Sequence, residues 1–367
     1  MSQNRVKILL VADAQSSHTV KWARALIDRG LQVHIFSFRP STLLPLDIVT
    51  VARKYPSGNS RWKKVFELFY FYTTGELKKL IKKQSPNVLH AHYASSYGLV
   101  ARLTKFHPFY ISTWGSDVFA FPRSNSLSKN ILTGNLQKAD KVFATSHTLQ
   151  KETALYTNKN IEYVPFGVDT EIFSPEIDLK NDNSIRVGLM KSMEYIYGVD
   201  LLLRAFQILL SENKTSKIEL HLYGDGSQIS NLKELAILLH LNDSVFFHGR
   251  IPPDLVPSVV KQFDILVNPS REESFGVAVV EAMACEVPVV VTRVGGLTEV
   301  VDDEINGLIA NPEDHQHLAA QLQRLVDSPE LRKSLGKSGR QKVLNEYDWN
   351  KIMDDVVKKY YLPLKKS

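Results

Sequence analysis

The chain has 367 residues, which exceeds the usual size of one compact core and suits two domains. Hydrophobic residues make up 44% and charged residues 23%, a soluble globular composition that excludes a largely disordered chain. No stretch approaches the roughly 20 apolar residues of a membrane-spanning helix, which argues against an integral membrane protein. The single cysteine, Cys285, excludes intramolecular disulfides and cysteine-based metal clusters, so we expect a reducing, cytoplasmic setting.

The net charge of +6 is divided unequally along the chain. Residues 1–167 hold 23 Lys and Arg against 9 Asp and Glu, a net charge of +14. Residues 168–367 hold 22 against 30, a net charge of −8. The first half is therefore expected to meet an anionic partner: nucleic acid, an anionic membrane face or a phosphorylated substrate.

Apolar runs alternate with helical patterns through the first half. The N-terminal run Val6–Ala12 is predicted to be a strand and not a secretion signal, and an amphipathic helix is predicted from about His18 to Gly30. Further strands are predicted at Val33–Phe38, Phe109–Thr113, Val142–Thr145 and Ile161–Val164. Apolar strands separated by helices are typical of a parallel sheet covered on both faces.

The segment Arg61–Tyr72 combines cations with large aromatic residues, and Lys78, Lys79, Lys82 and Lys83 extend its charge. Such a segment suits an anionic bilayer surface, with the rings at the level of the headgroups. The alternative is an ordinary helix with an aromatic core face and a solvated basic face. Nucleic-acid binding is disfavoured, because no helix-turn-helix, zinc or RNA-binding signature accompanies the charge.

The pattern restarts after a predicted linker, residues 165–185, which is rich in Pro, Gly, Asp, Asn and Ser. Strands are then predicted at Ile185–Met190, Glu219–Tyr223, Val245–Phe247, Ile265–Asn268 and Val287–Val291. We therefore predict an α/β protein with two doubly wound domains, 1–167 and 168–345, whose ligand crevices face each other across a cleft. Residues 346–367 form a further helix that could cross back to the first domain.

Residues 268–296 carry the most informative chemistry. A strand is followed by a polar loop with Glu273, and a helix starts near Phe275 and Gly276, where the free backbone amides favour a bound anion. Glu281 lies further along that helix among apolar neighbours, and a carboxylate there needs a partner, for which polyol hydroxyls are suitable. The alternative is that Glu273 caps the helix and Glu281 forms an internal ion pair.

The segment Glu273–Glu281 resembles the E-x7-E signature of the family 4 retaining glycosyltransferases, which have the two-domain GT-B fold. Other segments resemble the family's linker P-x-G-V-D-x-x-x-F-x-P, its G-x-G turn, its F-x-G and the remainder of its donor domain. They are Pro165–Pro175, His221–Gly226, Phe247–Gly249, Gly295–Glu299 and Asn306–Gly307. The matches keep the family's order and span about Val6 to Trp349.

The resemblance implies retaining transfer of a sugar from a UDP- or GDP-sugar to a carbohydrate or lipid-linked acceptor, in cell-envelope or exopolysaccharide synthesis. Glu273 would contact the donor sugar, Glu281 would hold the ribose hydroxyls, and Lys191 would bind the diphosphate. The implied donor-binding residues also include Phe275, Gly276, Val277, Gly224, Arg250 and Arg271. No metal or other cofactor is expected, because basic side chains and a helix dipole offset the leaving-group charge. The enzyme would be cytoplasmic or peripheral on the inner membrane face.

Two departures from the family pattern concern charge and the first domain. The family usually has an Arg and, five residues later, a Lys near the diphosphate, but here these positions hold Lys191 and Ile196, so Arg271 or Arg293 would have to compensate. The family's T-x-H-G-x-D loop has Trp114 in place of the His. That Trp could stack on a sugar or be structural, while Asp117 of the same loop is retained as a catalytic candidate.

Acceptor-side candidates lie near predicted strand ends of the first domain. Ser16, Ser17 and His18 start a helix where the family commonly has paired glycines, and they could bind a phosphate or an acceptor hydroxyl; an ordinary N-cap is the alternative. His90 and His92 lie on one face of a strand, too close together for a metal site without a third ligand. His92 is either an acceptor residue or a core histidine.

Two other functions compete with glycosyl transfer. A nucleotide-sugar epimerase of the same fold would form product without an acceptor, and the linker and E-x7-E motifs argue against it. A catalytically weak nucleotide-sugar-binding or scaffold protein is motivated by Ile196. An NAD-dependent oxidoreductase is disfavoured, because no G-x-G-x-x-G follows the first strand.

Overall fold

The computed structural model describes residues 5–52, 63–175, 184–213 and 217–365, with the backbone alone for 63–68. Two compact units make up the chain. The first domain contains Met1–Pro165 together with Asn350–Ser367, and the second contains Phe166–Trp349. The domain boundaries therefore lie after Pro165 and Trp349. The boundaries predicted from the sequence were after residues 167 and 345.

In the part of the chain that the structure describes, seven strands form the sheet of the first domain. They are β1 Lys7–Val11, β2 Gln32–Ser37, β3 Val49–Val51, β4 Val88–His92, β5 Phe109–Thr113, β6 Lys141–Ala144 and β7 Ile161–Tyr163. Their order is β3-β2-β1-β4-β5-β6-β7, and every pairing is parallel. The chain direction across the sheet reverses between β1 and β4, and in such sheets ligands bind outside the carboxyl ends of the strands at this switch point.

Among the described residues, six helices lie between the strands of the first domain, and a seventh leads into its C-terminal segment. They are α1 Ser17–Asp28, α2 Lys63–Gln84, α3 Ser96–Leu103, α4 Ser116–Phe119, α5 Ser126–Lys138, α6 His147–Ala154 and α14 Trp349–Val356. α1 buries Trp22 and Leu26 against the sheet, as its amphipathic pattern predicts.

The C-terminal segment completes the first domain. A π-helical stretch, Val357–Tyr361, follows α14, and the buried Tyr361 hydroxyl lies 2.6 Å from Nδ1 of His90 in β4. Arg29 of α1 donates to the Asp354 carboxylate at 2.7 Å. A buried hydrogen bond and a surface ion pair therefore tie this segment to the sheet and to its first helix.

Only part of the basic aromatic segment lies within the described residues. Of Arg61–Tyr72, residues 61 and 62 lie outside them. Phe69 on α2 is buried, whereas Phe71 and Tyr72 are 74% and 48% exposed, so the aromatic side chains divide between the core and the surface. None of the helices within the described ranges is both long and apolar enough to cross a membrane.

Within the described ranges, six strands form the sheet of the second domain. They are β8 Ser184–Met190, β9 Lys217–Tyr223, β10 Val245–Gly249, β11 Ile265–Asn268, β12 Val289–Thr292 and β13 Leu308–Ala310. All are parallel, in the order β10-β9-β8-β11-β12-β13. The switch point lies between β8 and β11. Two Rossmann-like domains with parallel sheets confirm the predicted α/β class.

Helices cover the second sheet. They are α7 Val199–Glu212, α8 Ile229–Leu238, α9 Val256–Val260, α10 Val277–Ala284, α11 Leu297–Val300, α12 His315–Asp327 and α13 Pro329–Lys342. The largest apolar cluster joins α7 and α12 to the strands through buried residues such as Phe206, Leu220 and Leu322. This packing holds the ends of β8 and β11, which carry the candidate site.

Candidate active site

Lys191 and Glu273 meet at the switch point of the second sheet. Lys191 directly follows β8, Glu273 lies in the loop after β11, and the Lys191 ammonium forms an ion pair with the Glu273 carboxylate. The side chains are 16% and 9% exposed, and Asn268 Nδ2 donates to the same carboxylate oxygen at 3.4 Å. A partly shielded ion pair of this kind presents both a cation and an acceptor at the strand ends.

Lys191 is held by further contacts. Its Nζ lies 4.5 Å from the centre of the Tyr197 ring, within the range of a cation–π interaction. Its backbone N–H donates to Tyr223 O at 3.0 Å. The Tyr197 turn continues into Gly198, which has a φ of +64°, and a Cβ there would overlap the carbonyl of Pro269. The loops after β8 and β11 are therefore packed backbone to backbone.

Two glycines support the loop that carries Glu273. The backbone N–H of Gly296 donates to Glu273 O at 3.0 Å. A Cβ at Gly295 would overlap the Glu273 carbonyl, and one at Gly296 would overlap that of Ser274. The loop can lie this close only where no side chain intervenes, so the glycine pair fixes the position of the Glu273 backbone.

The turn after β9 supports Lys191 in the same way. Gly224 has a φ of +133°, and a Cβ there would overlap the Lys191 carbonyl. Its N–H donates to Gly249 O at 2.8 Å, while Met193 N–H donates to Asp225 O at 3.1 Å. Gly224 thus acts in the site through the Lys191 loop, by allowing close backbone approach.

Helix α10 starts beside this loop. Gly276 precedes it with a φ of +101°, and a Cβ there would lie 2.7 Å from Leu297 Cδ2. The Phe275 side chain is 2% exposed and packs edge-on against Phe166 and Tyr347, with centroids 5.9 and 5.6 Å away. The Phe275 ring is therefore a core anchor, which leaves its backbone for a role in binding.

The first domain gathers His18, His92 and Trp114. The His92 and Trp114 ring centres lie 4.8 Å apart, and those of His18 and Trp114 lie 5.7 Å apart. His92 is 1% exposed, and neither of its ring nitrogens has a hydrogen-bond partner among the described residues. His90 instead bonds Tyr361 and Ser112, so it is a satisfied core histidine.

The histidines of this cluster are uncharged at neutral pH. Burial, with a smaller contribution from Lys21, lowers the pKa of His18 to about 4. Burial, followed by His90 and His18, lowers the pKa of His92 well below its usual value. Ser16 stands at the N-cap of α1, but its side chain makes no capping hydrogen bond. The cluster is therefore polar, aromatic and neutral.

Asp117, which was predicted to be catalytic, is buried in the first turn of α4. Asp117 is fully buried, and its carboxylate accepts from the backbone N–H groups of Ala94, Trp114 and Gly115 at 2.7, 3.1 and 2.9 Å. Burial raises the pKa of this carboxyl, while these backbone hydrogen bonds oppose the shift. Both oxygens are occupied and shielded, so Asp117 positions the Trp114 loop, and a catalytic role for it stays a prediction.

Two family models match most of the chain. The model described as "Glycosyl transferases group 1" matches residues 171–342, and "Glycosyl transferase 4-like" matches residues 7–146. The chain belongs to the group 1 glycosyltransferase family. The resemblance seen in the sequence motifs is thus confirmed, and the chain is a glycosyltransferase of GT-B type.

Relatives and solved structures agree with this family. N-acetyl-alpha-D-glucosaminyl L-malate synthase of Bacillus anthracis is 27% identical over 301 residues, covering 78% of this chain and 77% of its own. Sucrose-phosphate synthase from Thermosynechococcus elongatus has a TM-score of 0.82 at 21% identity, covering 97% and 98% of the two chains. Anabaena HepE in complex with UDP-glucose has a TM-score of 0.79 at 18% identity, covering 96% and 99%. The two structures establish the GT-B fold.

Arg271, which was predicted to bind the donor, is held by two carboxylates. Its guanidinium pairs in bidentate fashion with Asp200, at 2.8 Å for both bonds, and its Nε donates to Glu313 at 2.6 Å. The hydrogen bonds to Asp200 raise the pKa of Arg271 further. Two carboxylates therefore balance this cation in the structure, and its binding to the donor stays a prediction. Arg293 likewise pairs with Asp303, at 2.9 Å.

Three further residues discussed in the sequence lie on different elements of the second domain. Glu281 lies partly buried in the second turn of α10, next to the start of that helix at Val277. Arg250 is exposed directly after β10. Ile196 is 42% exposed, and its carbonyl accepts from the Arg271 backbone N–H at 2.8 Å.

Sequence reasoning missed two supports of the group 1 site. Tyr197 follows Ile196 without matching any motif, and Asn268 is simply the last residue of a predicted strand. Without knowledge of the fold, an aromatic residue near a Lys in the sequence does not indicate a binding site. The same holds for an amide side chain at the end of a strand. Among the described residues, no three His, Cys, Asp or Glu side chains are arranged to hold a metal ion.

Proposed function

We propose that this glycosyltransferase moves a sugar from a nucleotide-sugar donor to a carbohydrate or lipid-linked acceptor with retention of anomeric configuration. The observation that carries the proposal is the Lys191–Glu273 ion pair at the switch point of the second sheet, beside the start of α10. A cation and helix amides suit a diphosphate, and a carboxylate suits sugar hydroxyls.

Each group has a defined task in the proposed reaction. Lys191 and the amides around Gly276 stabilise the charge that develops on the leaving diphosphate. Glu273 accepts hydrogen bonds from donor-sugar hydroxyls, and Glu281 accepts those of the ribose. When the donor enters, Lys191 exchanges part of its bond with Glu273 for phosphate oxygens, while the Tyr197 ring 4.5 Å away keeps it in place. The leaving phosphate then takes the acceptor proton, and no metal is required.

Two comparisons favour a UDP-sugar as the first donor to test. HepE was crystallised with UDP and with UDP-glucose, and it shares the fold of this chain. The Bacillus anthracis relative is named as a synthase of an N-acetylglucosaminyl product. We infer a hexosyl donor of this kind, with GDP-sugars as the alternative.

A thermal-shift screen against UDP, GDP, ADP and their sugars tests the donor. A ligand at 100 times its dissociation constant should stabilise the folded state by about 2.7 kcal/mol. Slow hydrolysis of the same sugar nucleotide, insensitive to EDTA and abolished in Glu273→Gln and Lys191→Ala, would support the proposal. Tight binding without turnover over many acceptors would instead indicate a scaffold, and product from donor alone would indicate an epimerase.

We infer that the acceptor binds to the first domain at the His18, His92 and Trp114 cluster, with Ser16 beside it. The cluster surrounds the carboxyl ends of β1, β4 and β5, and a neutral aromatic surface suits a sugar ring. Trp114→Ala should raise the KM for acceptor and leave the affinity for UDP unchanged. Equal loss for both substrates would contradict this assignment.

We also propose that the first domain works at an anionic membrane face on the cytoplasmic side, in cell-envelope or exopolysaccharide synthesis. Phe71 and Tyr72 project from α2, and Lys78, Lys79, Lys82 and Lys83 are exposed on the same helix. Exposed rings beside lysines suit a surface of acidic lipids. Flotation with anionic vesicles at low salt should recover the protein, and Lys78→Glu with Lys79→Glu should abolish this. No flotation of the wild type would refute it.

A further inference from the structure

Tyr93 directly follows β4, beside the switch point of the first sheet, and its backbone is strained. Its φ is +82°, a left-handed conformation that residues with bulky side chains rarely adopt. Among the described residues, the other non-glycine residues with a positive φ are serine, lysine, histidine and glutamate, at +48° to +66°. Tyr93 therefore combines the largest φ of this group with its bulkiest side chain, where glycine or asparagine would fit with less strain.

Hydrogen bonds hold the Tyr93 backbone in this conformation. Its N–H donates to Ser112 O at 3.0 Å, and its carbonyl accepts from the Gly98 N–H at 3.1 Å. The next N–H, that of Ala94, donates to the Asp117 carboxylate at 2.7 Å. Strained residues persist only where the surrounding structure fixes them, and they cluster at active sites and ligand clamps. The strain at Tyr93 therefore indicates a task for its side chain.

The Tyr93 side chain adjoins the cluster of His18, His92 and Trp114. Its ring meets the Trp114 ring edge to face, with the ring centres 6.2 Å apart and 89° between the planes. Its hydroxyl is hydrogen-bonded to the Ser116 hydroxyl, at the start of α4. Ser116 is exposed, and Tyr93 and Trp114 are partly exposed, so a ligand can reach these side chains.

The two hydroxyls can bind the hydroxyl groups of a ligand. One of them donates to the other, so the second keeps its hydrogen for another acceptor, and both oxygens keep lone pairs. The Trp114 ring beside them offers an apolar face, which suits the C–H face of a sugar or cyclitol ring. His18 and His92 are uncharged at neutral pH, so the group suits an uncharged, hydroxylated ring.

We propose that Tyr93 and Ser116 bind the hydroxyl groups of an uncharged polyol ring, a sugar or a cyclitol, in the acceptor. The site rests on the proposed function only in that its ligand is called the acceptor. The hydroxyl of Tyr93 selects a ligand that can hydrogen-bond to it, because a ligand without a hydroxyl there would leave this polar group without its water or ligand partner. The strained backbone holds the phenol next to Ser116, which keeps the two hydroxyls together before a ligand arrives.

A purely structural Tyr93 is the competing explanation. Its ring packs against an apolar cluster of the first domain that includes Leu89 and Phe109. Packing of this kind depends on the ring and not on the hydroxyl, so phenylalanine would serve equally well. Removing the hydroxyl alone therefore separates a binding role from a packing role.

The test is titration of the full chain with uncharged polyols in the absence of donor, followed by saturation-transfer NMR. The probes are methyl α-D-glucopyranoside, methyl α-D-mannopyranoside and myo-inositol. We expect at least one of them to bind the wild type. Tyr93→Phe and Ser116→Ala should each weaken its binding about three- to tenfold, because each removes a hydrogen-bonding group.

Tyr156→Phe is the matched control, because it removes the hydroxyl of another partly buried tyrosine that packs against the same apolar cluster. This variant should keep the affinity of the wild type. Equal affinity of Tyr93→Phe and Tyr156→Phe, or no binding of any probe to the wild type, would overturn the proposal. If Tyr93→Phe melts at a lower temperature than the control, Ser116→Ala decides at an exposed position, and unchanged affinity there would overturn it.

Transfer assays separate this site from the proposed function. Polyol binding that Tyr93→Phe weakens, in a chain that transfers no sugar to any acceptor, would refute the transfer and leave the polyol site standing. Transfer to a polyol with the same KM in the wild type and in Tyr93→Phe would leave the transfer standing and refute the site. If both hold, Tyr93→Phe should raise the KM for the polyol and leave the hydrolysis of the donor unchanged.

Discussion

The candidate binding groups are charged in the second domain and uncharged in the first. The second half of the chain carries a net charge of −8, yet its site presents the cation of Lys191 next to Glu273. The first half carries +14, yet its cluster consists of uncharged His18 and His92 around Trp114. Net charge therefore describes the surface of each domain, whereas the chemistry of each site is set by a few shielded side chains.

Removing the charged pair should have the largest effect. Lys191→Ala and Glu273→Gln should each lower turnover by about 10²–10³, because each removes a group aimed at the charged part of the donor. Steady-state kinetics with the donor found by thermal shift measures this. Lys337→Ala, which removes an exposed lysine from α13, should leave turnover unchanged. Equal activity of Lys191→Ala and Lys337→Ala would show that the site lies elsewhere.

Alanine substitutions at two glycines, one in each domain, should change the free energy of unfolding in opposite directions. Gly224→Ala places a Cβ against the Lys191 carbonyl at a φ of +133°, so it should destabilise the fold by about 1–3 kcal/mol and weaken donor binding. Gly75→Ala on α2 meets no atom within 4 Å and should stabilise the protein by about 0.5–1 kcal/mol. Urea unfolding of both variants provides the measurement; effects of the same sign would contradict the close-packing argument.

Restoring the second cation of the family pattern should tighten nucleotide binding at the Lys191–Glu273 site. Ile196→Lys adds an ammonium where the family commonly has one, and a charge-assisted hydrogen bond to phosphate should tighten nucleotide binding about tenfold. Ile196→Met keeps the apolar bulk without the charge and is expected to bind like the wild type. Calorimetric titration with UDP compares the three proteins. A lysine variant that binds no better would place the diphosphate away from residue 196.

The neutral histidines of the first-domain cluster should make the stability of the protein depend on pH. The pKa of His18 falls from 6.5 to about 4 on folding, so the unfolded chain binds more protons between these values and stability is lost as the pH falls through this window. At pH 5.5 the cost is about 1.4 kcal/mol, because this pH lies one unit below 6.5 and well above 4. His18→Gln should flatten a plot of melting temperature against pH below about 6.5. A profile identical to the wild type would mean that folding does not lower the pKa of His18.

Much of the fold could be predicted from the sequence because parallel strands are apolar on both faces. Phe109–Thr113 and Ile265–Asn268 have the predicted bounds. The short strand Val49–Val51 at one sheet edge was missed, since three partly exposed residues give no periodicity. The strand predicted at Val287 starts instead at Val289, after Pro288, which has no N–H to donate to the ladder.

The candidate site was predicted unevenly for a physical reason. Lys191 and Glu273 meet because each follows a strand end at the switch point, which the order of strands implies. The ion pair of Arg271 with Asp200 joins residues that are distant in sequence. The burial of Asp117 depends on a local turn and on contacts with residues from elsewhere in the chain. Residue type alone cannot distinguish a cation free to bind phosphate from one already paired.

The C-terminal segment has a consequence for synthesis. The ring of Tyr361, bonded to His90, fills a place in the first domain, although the ribosome makes it after all of Phe166–Trp349. During translation, His90 in β4 therefore lacks its hydrogen bond to Tyr361 until the whole second domain has been synthesised. The domain made first is finished last, so an interrupted or truncated translation product would expose an incomplete core to chaperones and proteases.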